Sequence, residues 1–170
     1  RVNASGLPQW SPCVTLCAAG YDQDSPDAVS DGAGGAVVVW EDFRSNANWD
    51  IYAQRVTPAG MTLWATNGVA ICTNPSDQQY TTLTTDGAGG AIIRWKEFRN
   101  GNEDFYARRV GADGVPRWAA DGVPVSTAPD AQNNIDLTPD GAGGAIAVWQ
   151  DRRSGASYDI YAQRIEHFGS

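Results

Sequence analysis

Histidine, lysine and methionine are almost missing from this chain, which has one of each: His167, Lys96 and Met61. The one histidine lies in the tail, which argues against a His-based metal cluster or a Ser–His–Asp set within one chain. There are three cysteines, Cys13, Cys17 and Cys72, with no CxxC or CxxCH among them, so redox and haem chemistry fall away. An odd number leaves at least one thiol unpaired, and Cys13 and Cys17 are too far apart along one extended strand to be bridged. No apolar run approaches the roughly 18 residues of a membrane helix. Basic residues are scarce as well: 12 Lys and Arg stand against 20 Asp and Glu, a net charge of −8. Nucleic acid needs a basic face and an anionic membrane needs a basic patch, so neither is expected as a partner.

What is abundant points one way. Nineteen glycines and nine prolines with seven tryptophans in 170 residues suggest many tight turns between aromatic-rich strands. With 42% apolar and 19% charged residues the chain suits a folded protein with a real core.

The dominant feature is an internal repeat. DGAGGA starts at Asp31, Asp86 and Asp140, and each copy runs into an apolar stretch ending in Trp40, Trp95 or Trp149. An acid follows (Asp42, Glu97, Asp151), then an arginine (Arg44, Arg99, Arg153). A short loop leads to Asp50-Ile-Tyr, Asp104-Phe-Tyr or Asp159-Ile-Tyr, closed by Arg55, Arg109 or Arg164. A turn glycine and a second tryptophan come next, at Gly60–Trp64 and Gly114–Trp118, and the N-terminus supplies the matching Gly6 and Trp10.

Each unit reads as four strands. AVVVWED, AIIRWKE and AIAVWQD are β-branched and aromatic runs bounded by glycine turns, apolar on both faces as a strand between two sheets should be. DIYAQRV and its copies pair with them through a hairpin. PDAVSD, TTLTTD and IDLTPD supply an inner strand through the DGAGG turn, and CVTLC, GVAIC and GVPVS supply an outer one. Four strands per repeat is the blade of a β-propeller. The expectation is therefore an all-β protein: one propeller segment over 1–170, with units near 1–54, 55–108 and 109–163 and a tail at 164–170.

The pattern resembles kelch-type blades, although here the glycine pair precedes the strand, and its DG…W arrangement resembles the Asp-box turns of sialidase-like propellers. Taken whole, DGAGGAxxxWxDxR…DIYAQR resembles blade repeats of secreted bacterial proteins. This implies a secreted or cell-surface bacterial location and a propeller architecture; it carries over no functional residue.

Phase suggests how such a chain closes. Arg1, Arg55, Arg109 and Arg164 recur at spacings of 54, 54 and 55, so the chain reads as a whole number of repeats cut inside the third strand of a blade. It starts at Arg1 without Met, which reads as a processed or excised segment. Three blades are too few for a ring, since propellers have four to eight. The expectation is a ring completed by oligomerisation, six blades as a dimer, or else a fragment of a larger propeller. In the dimer, Leu7–Cys17 of one copy serves as the outermost strand of the blade at 132–165 of the other. The chain's first partner is then itself.

Candidate binding residues are few. Gln23, Gln78 and Gln132 precede the DGAGG aspartates at a fixed distance, with Asp22, Asp24 and Asp77 nearby, where loops meet the inner strand and the channel. They could hold a sugar or a cation, or line a hydrated pore. Trp49 stands outside the two repeat tryptophan positions, in a hairpin loop suited to sugar stacking. Asp42, Glu97 and Asp151 with Arg55, Arg109 and Arg164 read as ion pairs inside the blade. Asp31, Asp86 and Asp140 read as turn residues, since one carboxylate beside glycines is too little for calcium. Trp10, Trp40, Trp64, Trp95, Trp118 and Trp149 read as structural. No catalytic residue, metal site or cofactor is expected. The sequence thus favours a non-enzymatic interaction or scaffold module, with a carbohydrate-binding lectin second and a glycoside hydrolase third; beyond a second copy, its ligand is expected to be a carbohydrate or a protein.

Overall fold

The computed structural model describes residues 1–129 and 132–169, so the tail's Ser170 lies outside the described residues. Among them there is no helix, and eleven strands form three antiparallel sheets. The first sheet joins β1 (Gln23–Ser30), β2 (Ala36–Asp42), β3 (Asp50–Val56) and β4 (Val69–Cys72) in chain order. The second joins β5 (Gln78–Thr85), β6 (Ala91–Glu97), β7 (Asp104–Val110) and β8 (Val123–Ser126) in the same way. The third holds β9 (Gln132–Pro139), β10 (Ala145–Asp151) and β11 (Asp159–Ile165). The repeat thus folds as a meander, the arrangement of successive blades.

The third sheet has three strands and lacks the outer one, as the phase of the repeat predicts. One expectation is corrected: the Cys13–Cys17 segment is not a strand. A strand is defined by a paired ladder, and in this chain that segment lies beside the first sheet, with the counterpart of β3 that it would pair with absent from its side. It nevertheless keeps the repeat's local form: Val2 bridges Pro8 as Val56 bridges Thr62 and Val110 bridges Pro116.

The DGAGG turn works through its aspartate. One oxygen of Asp31 accepts the Ala33 and Gly35 amides, both at 2.8 Å, and the other accepts Arg55 Nε at 3.0 Å. Asp86 with Arg109 and Asp140 with Arg164 repeat the geometry. Both oxygens are committed to holding the turn. Gly35 is obligatory there, because a Cβ would lie 2.2 Å from the Val56 carbonyl.

The carboxylate after each tryptophan has a different partner from the one expected. Asp42, Glu97 and Asp151 pair with Arg44, Arg99 and Arg153, not with Arg55, Arg109 and Arg164. Each of these arginines stands in the turn just after its strand. At Asp42 and Asp151 the carboxylate also accepts the amide of Arg44 or Arg153, at 2.9 and 2.8 Å, which folds the nearer arginine back within reach. The indole of Trp40, Trp95 or Trp149 donates to the same carboxylate, at 2.7, 3.0 and 2.9 Å. Each guanidinium then lies over a tyrosine ring, Tyr52, Tyr106 or Tyr161, at 3.6 to 4.0 Å.

Successive sheets are joined by a repeated seam. Trp64 donates to the Ala112 carbonyl at 3.1 Å and Trp118 to that of His167 at 2.9 Å. Arg55 also reaches Ala112, at 3.2 Å. Trp10 and Arg1 make the same contacts to Pro58, at 3.0 and 3.4 Å. The core lies between sheets: Val37, Val39, Ile51 and Ala53 pack on Ile93 and Trp95, and Ile92, Phe105 and Ala107 pack on Ala147 and Trp149.

Candidate functional site

Of the residues singled out from the sequence, Trp49, Asp77 and Gln78 meet through hydrogen bonds, and the others stand apart. Gln78 and Gln132 are buried, and their amides donate to loop carbonyls, Asn74 and Ser76 for one, Ala128 for the other. Gln23 does likewise with Gly20 and Tyr21. These glutamines hold the loops that enter β1, β5 and β9. Trp49 and Asp77 are brought together, since Asp77 accepts the Trp49 amide at 2.9 Å. The Trp49 ring is half-buried against Phe43, with centroids 5.2 Å apart. Asp22 is exposed, its carbonyl accepting the Phe43 amide at 2.9 Å.

A different set converges on a cleft. Between the second and third sheets lies a cleft of about 320 Å³, lined by Tyr80, Arg94, Lys96, Phe105, Asn133, Asn134 and Ile135. The position of each side chain follows from strand periodicity. Arg94 and Lys96 are two apart on β6 and face the third sheet, and Phe105 is their neighbour on β7. Tyr80 sits at an irregularity of the β5–β6 ladder, with φ +55°, and is 66% exposed. Asn134 on β9 has the matching left-handed backbone, φ +50°.

Comparison of the three units in phase shows what is special here. Arg94 stands where the other units carry Val39 and Val148, and Lys96 where they carry Glu41 and Gln150. Tyr80 replaces Ser25 and Asn134, and Phe105 replaces Ile51 and Ile160. The cleft is built from the repeat's departures. In the seam between the first and second sheets the counterpart of Lys96 is the buried Glu41, which accepts the Thr81 amide at 3.3 Å. Burial raises the Glu41 carboxyl above its ordinary value. One structural position therefore carries opposite charge in adjacent seams.

Arg94 bridges the second cleft. Its Nη1 donates to the Tyr80 carbonyl, and its Nη2 crosses the seam to the Ile135 carbonyl at 2.7 Å. Its Nε has no hydrogen-bond partner, and no carboxylate forms an ion pair with it among the described residues. Burial pulls the guanidinium down to about 10, while Asp136 and Asp27 act in the opposite sense from a distance. Lys96 pairs with Glu103 and lies 5.6 Å from the Tyr80 ring centre. A smaller pocket of about 160 Å³ continues past Tyr80 and Lys96 to Asp77 and Phe98. Sequence reading missed this site because it sought what the units share. The signal was present in the one lysine and in a valine-to-arginine change inside an apolar strand.

With this geometry in hand, the chain can be set beside known proteins. No family model matches it, and no curated protein matches it. It resembles the solved structure of an endo-arabinase from Bacteroides thetaiotaomicron VPI-5482, with a TM-score of 0.50 and 12% identity. The likeness is one of fold. The match covers 88% of this chain and 58% of that one, so the chain spans a little over half the length of the endo-arabinase.

Proposed function

We propose that this chain is a segment of a β-propeller that binds carbohydrate, with its site in the cleft between the second and third blades. The observation that carries this reading is the lining of the cleft. An exposed tyrosine, a buried phenylalanine, two amides and two cations meet in about 320 Å³, whereas the other units have aliphatic or oppositely charged side chains at several of these positions. Sugars present C–H faces that pack on aromatic rings and hydroxyls that need fixed donors and acceptors, and such a lining offers both. The fold likeness to a protein named an endo-arabinase, a carbohydrate-acting enzyme, supports this class over a bare scaffold.

Binding fits better than hydrolysis. Glycoside cleavage calls for two carboxylates across the scissile bond, and none lines the larger cleft. In the adjoining pocket Glu97 is held by Trp95 and Arg99, Glu103 by Lys96, and Asp77 by the Trp49 amide. A glycan array followed by Tyr80→Ala tests the reading: the best glycan should lose at least tenfold in affinity while thermal stability holds. A chain that binds no glycan, or whose binding ignores Tyr80, would overturn it.

A second reading concerns assembly, and the third sheet carries it. We propose that a second copy covers its open edge and completes the ring. Ile160 on β11 is 74% exposed, whereas its counterparts Ile51 and Phe105 are 0% and 2% exposed. A groove of about 420 Å³ runs along β11 past Trp149, Arg153, Tyr161 and Gln163, where the other sheets carry β4 and β8. The N-terminal segment, seated on the first sheet through Trp10 and Arg1 as Trp64 and Arg55 seat on the second, is an outer strand in want of a sheet. Light scattering should show a multiple of 18.1 kDa; a stable monomer would refute this.

A further inference from the structure

Arg94 is an unusual residue to find in this place. A strand between two sheets is normally apolar on both faces, and desolvating a cation is costly unless a charge or strong acceptors meet it. Here two neutral carbonyls hold the guanidinium, Nε is unpartnered, and the charge has no contacting carboxylate among the described residues. The valines at 39 and 148 show that the strand folds without it. The cation is therefore an addition to the repeat, and it points to a ligand that answers its charge.

Resting on the carbohydrate reading, we infer that the cleft between the second and third sheets takes an acidic sugar, a uronate whose carboxylate is received by Arg94 with Lys96 at its flank. An arginine fork suits the two oxygens of a carboxylate. The exposed Tyr80 gives the sugar ring an apolar surface, with the buried Phe105 behind Arg94 at the back of the cleft, and Asn133 and Asn134 give its hydroxyls donors and acceptors. Lys96 is already engaged by Glu103 on its outer side, which leaves Arg94 as the principal charge. A surface of net charge −8 repels free polyanions, so capture must depend on this local pair of cations and weaken with salt.

The experiment is calorimetric titration of the wild-type chain with oligogalacturonate, its methyl-esterified form, a neutral arabinan oligosaccharide and oligoglutamate. Arg94→Val, which restores the residue of the other two units, and Tyr80→Ala are titrated beside it, with thermal unfolding to show that both fold. The expected result is binding of oligogalacturonate, at least tenfold weaker binding of the ester, and at least a tenfold loss in Arg94→Val. Equal affinity for acid and ester, with Arg94→Val unchanged, would overturn the inference and leave the carbohydrate reading standing. Oligoglutamate binding as tightly as oligogalacturonate would overturn the sugar class. Binding of none of the four would overturn this inference, and the carbohydrate reading with it only if the glycan array is also blank.

Discussion

Replacing Trp95 by alanine removes the largest fully buried side chain in the molecule, a ring with 0% exposure between the first and second sheets. Its cost can be worked from its surroundings. Val37, Val39 and Ile51 of the first sheet share its core, and the backbone of Gly122 lies so close that a Cβ there would stand 2.5 Å from Trp95 Cη2. Sheet and turn backbone hold these walls apart, so the cavity cannot collapse, and the loss should sit in the upper part of the range of about 3 to 5 kcal/mol for such truncations. The lost hydrogen bond adds little, because Glu97 keeps Arg99. Trp149 occupies the same repeat position but borders the open groove along β11. While that edge is uncovered, water can fill the space left by Trp149→Ala, so in the monomer that variant should lose at least about 1 kcal/mol less. Covering the edge with a second copy removes that difference. Trp49, half-buried on Phe43, should cost about 1 kcal/mol or less. Urea unfolding followed by circular dichroism measures all three. Equal losses for Trp95 and Trp49, or a larger loss at Trp149 than at Trp95, would refute the assignment of inside and outside.

Further outcomes follow from the same geometry. Gly122→Ala should destabilise as severely as Trp95→Ala, because φ is +80° and the new methyl would meet the indole; an unchanged melting temperature would show that the turn can move. The hydrogen bond from Arg153 holds the Asp151 carboxyl down to about 2, so its contribution is present above the unfolded carboxylate value near 4 and is lost as pH falls towards 2. Asp151→Asn should flatten that part of the acid limb in a melting-temperature profile; an unaltered limb would remove Asp151 as a contributor. Burial raises Glu41 instead, so protonating it acts in the opposite sense, and Glu41→Gln should steepen acid loss. Deleting residues 1–17 should abolish assembly by light scattering and expose the first sheet; an unchanged oligomer would show that the segment is not the clasp.

Much of the fold was legible because the repeat states it three times. DGAGGA marks the turn before β2, β6 and β10, and the tryptophan after each apolar run marks the residue that fills the space between sheets. The arginine partners were harder to read. From spacing alone, Arg44 and Arg55 are both candidates for Asp42, and only the register of β2 with β3, which sets Arg55 opposite Val37 at the far end from Asp42, shows that Arg55 belongs to Asp31. The Cys13–Cys17 segment has strand composition but no ladder in this chain, and composition alone does not carry the presence of a partner. It also differs from its counterparts: it is one residue shorter after Trp10 than the path from Trp64 to Cys72, and it sets Cys13 in the place of Gly68. Any sheet that took this segment as an outer strand would seat it without the glycine that lies against Trp40 in the first.

The candidate site was hidden for a reason that follows from repetition itself. A position that is the same in every unit answers a demand that every unit shares, and in stacked sheets that demand is packing. Gln78 and Gln132 recur because every inner strand needs its entry loop held, and the turn aspartates recur because every DGAGG hairpin needs its amides satisfied. A ligand that occupies one cleft imposes no such demand on the others. Its residues should appear as exceptions: a cation where units on either side have valine, an aromatic ring where they have serine and asparagine, a lysine where one neighbour has a buried glutamate. Arg94, Tyr80 and Lys96 meet that description together and in one place. Three unrelated drifts from the repeat would be expected to scatter over the sheets, whereas these three lie around a single cavity that crosses a seam. That convergence is why Arg94→Val, a return to the repeat, separates the two demands: it should leave the apolar packing of the sheet intact, at the loss of the hydrogen bonds to the Tyr80 and Ile135 carbonyls, and remove what the cleft was changed to do.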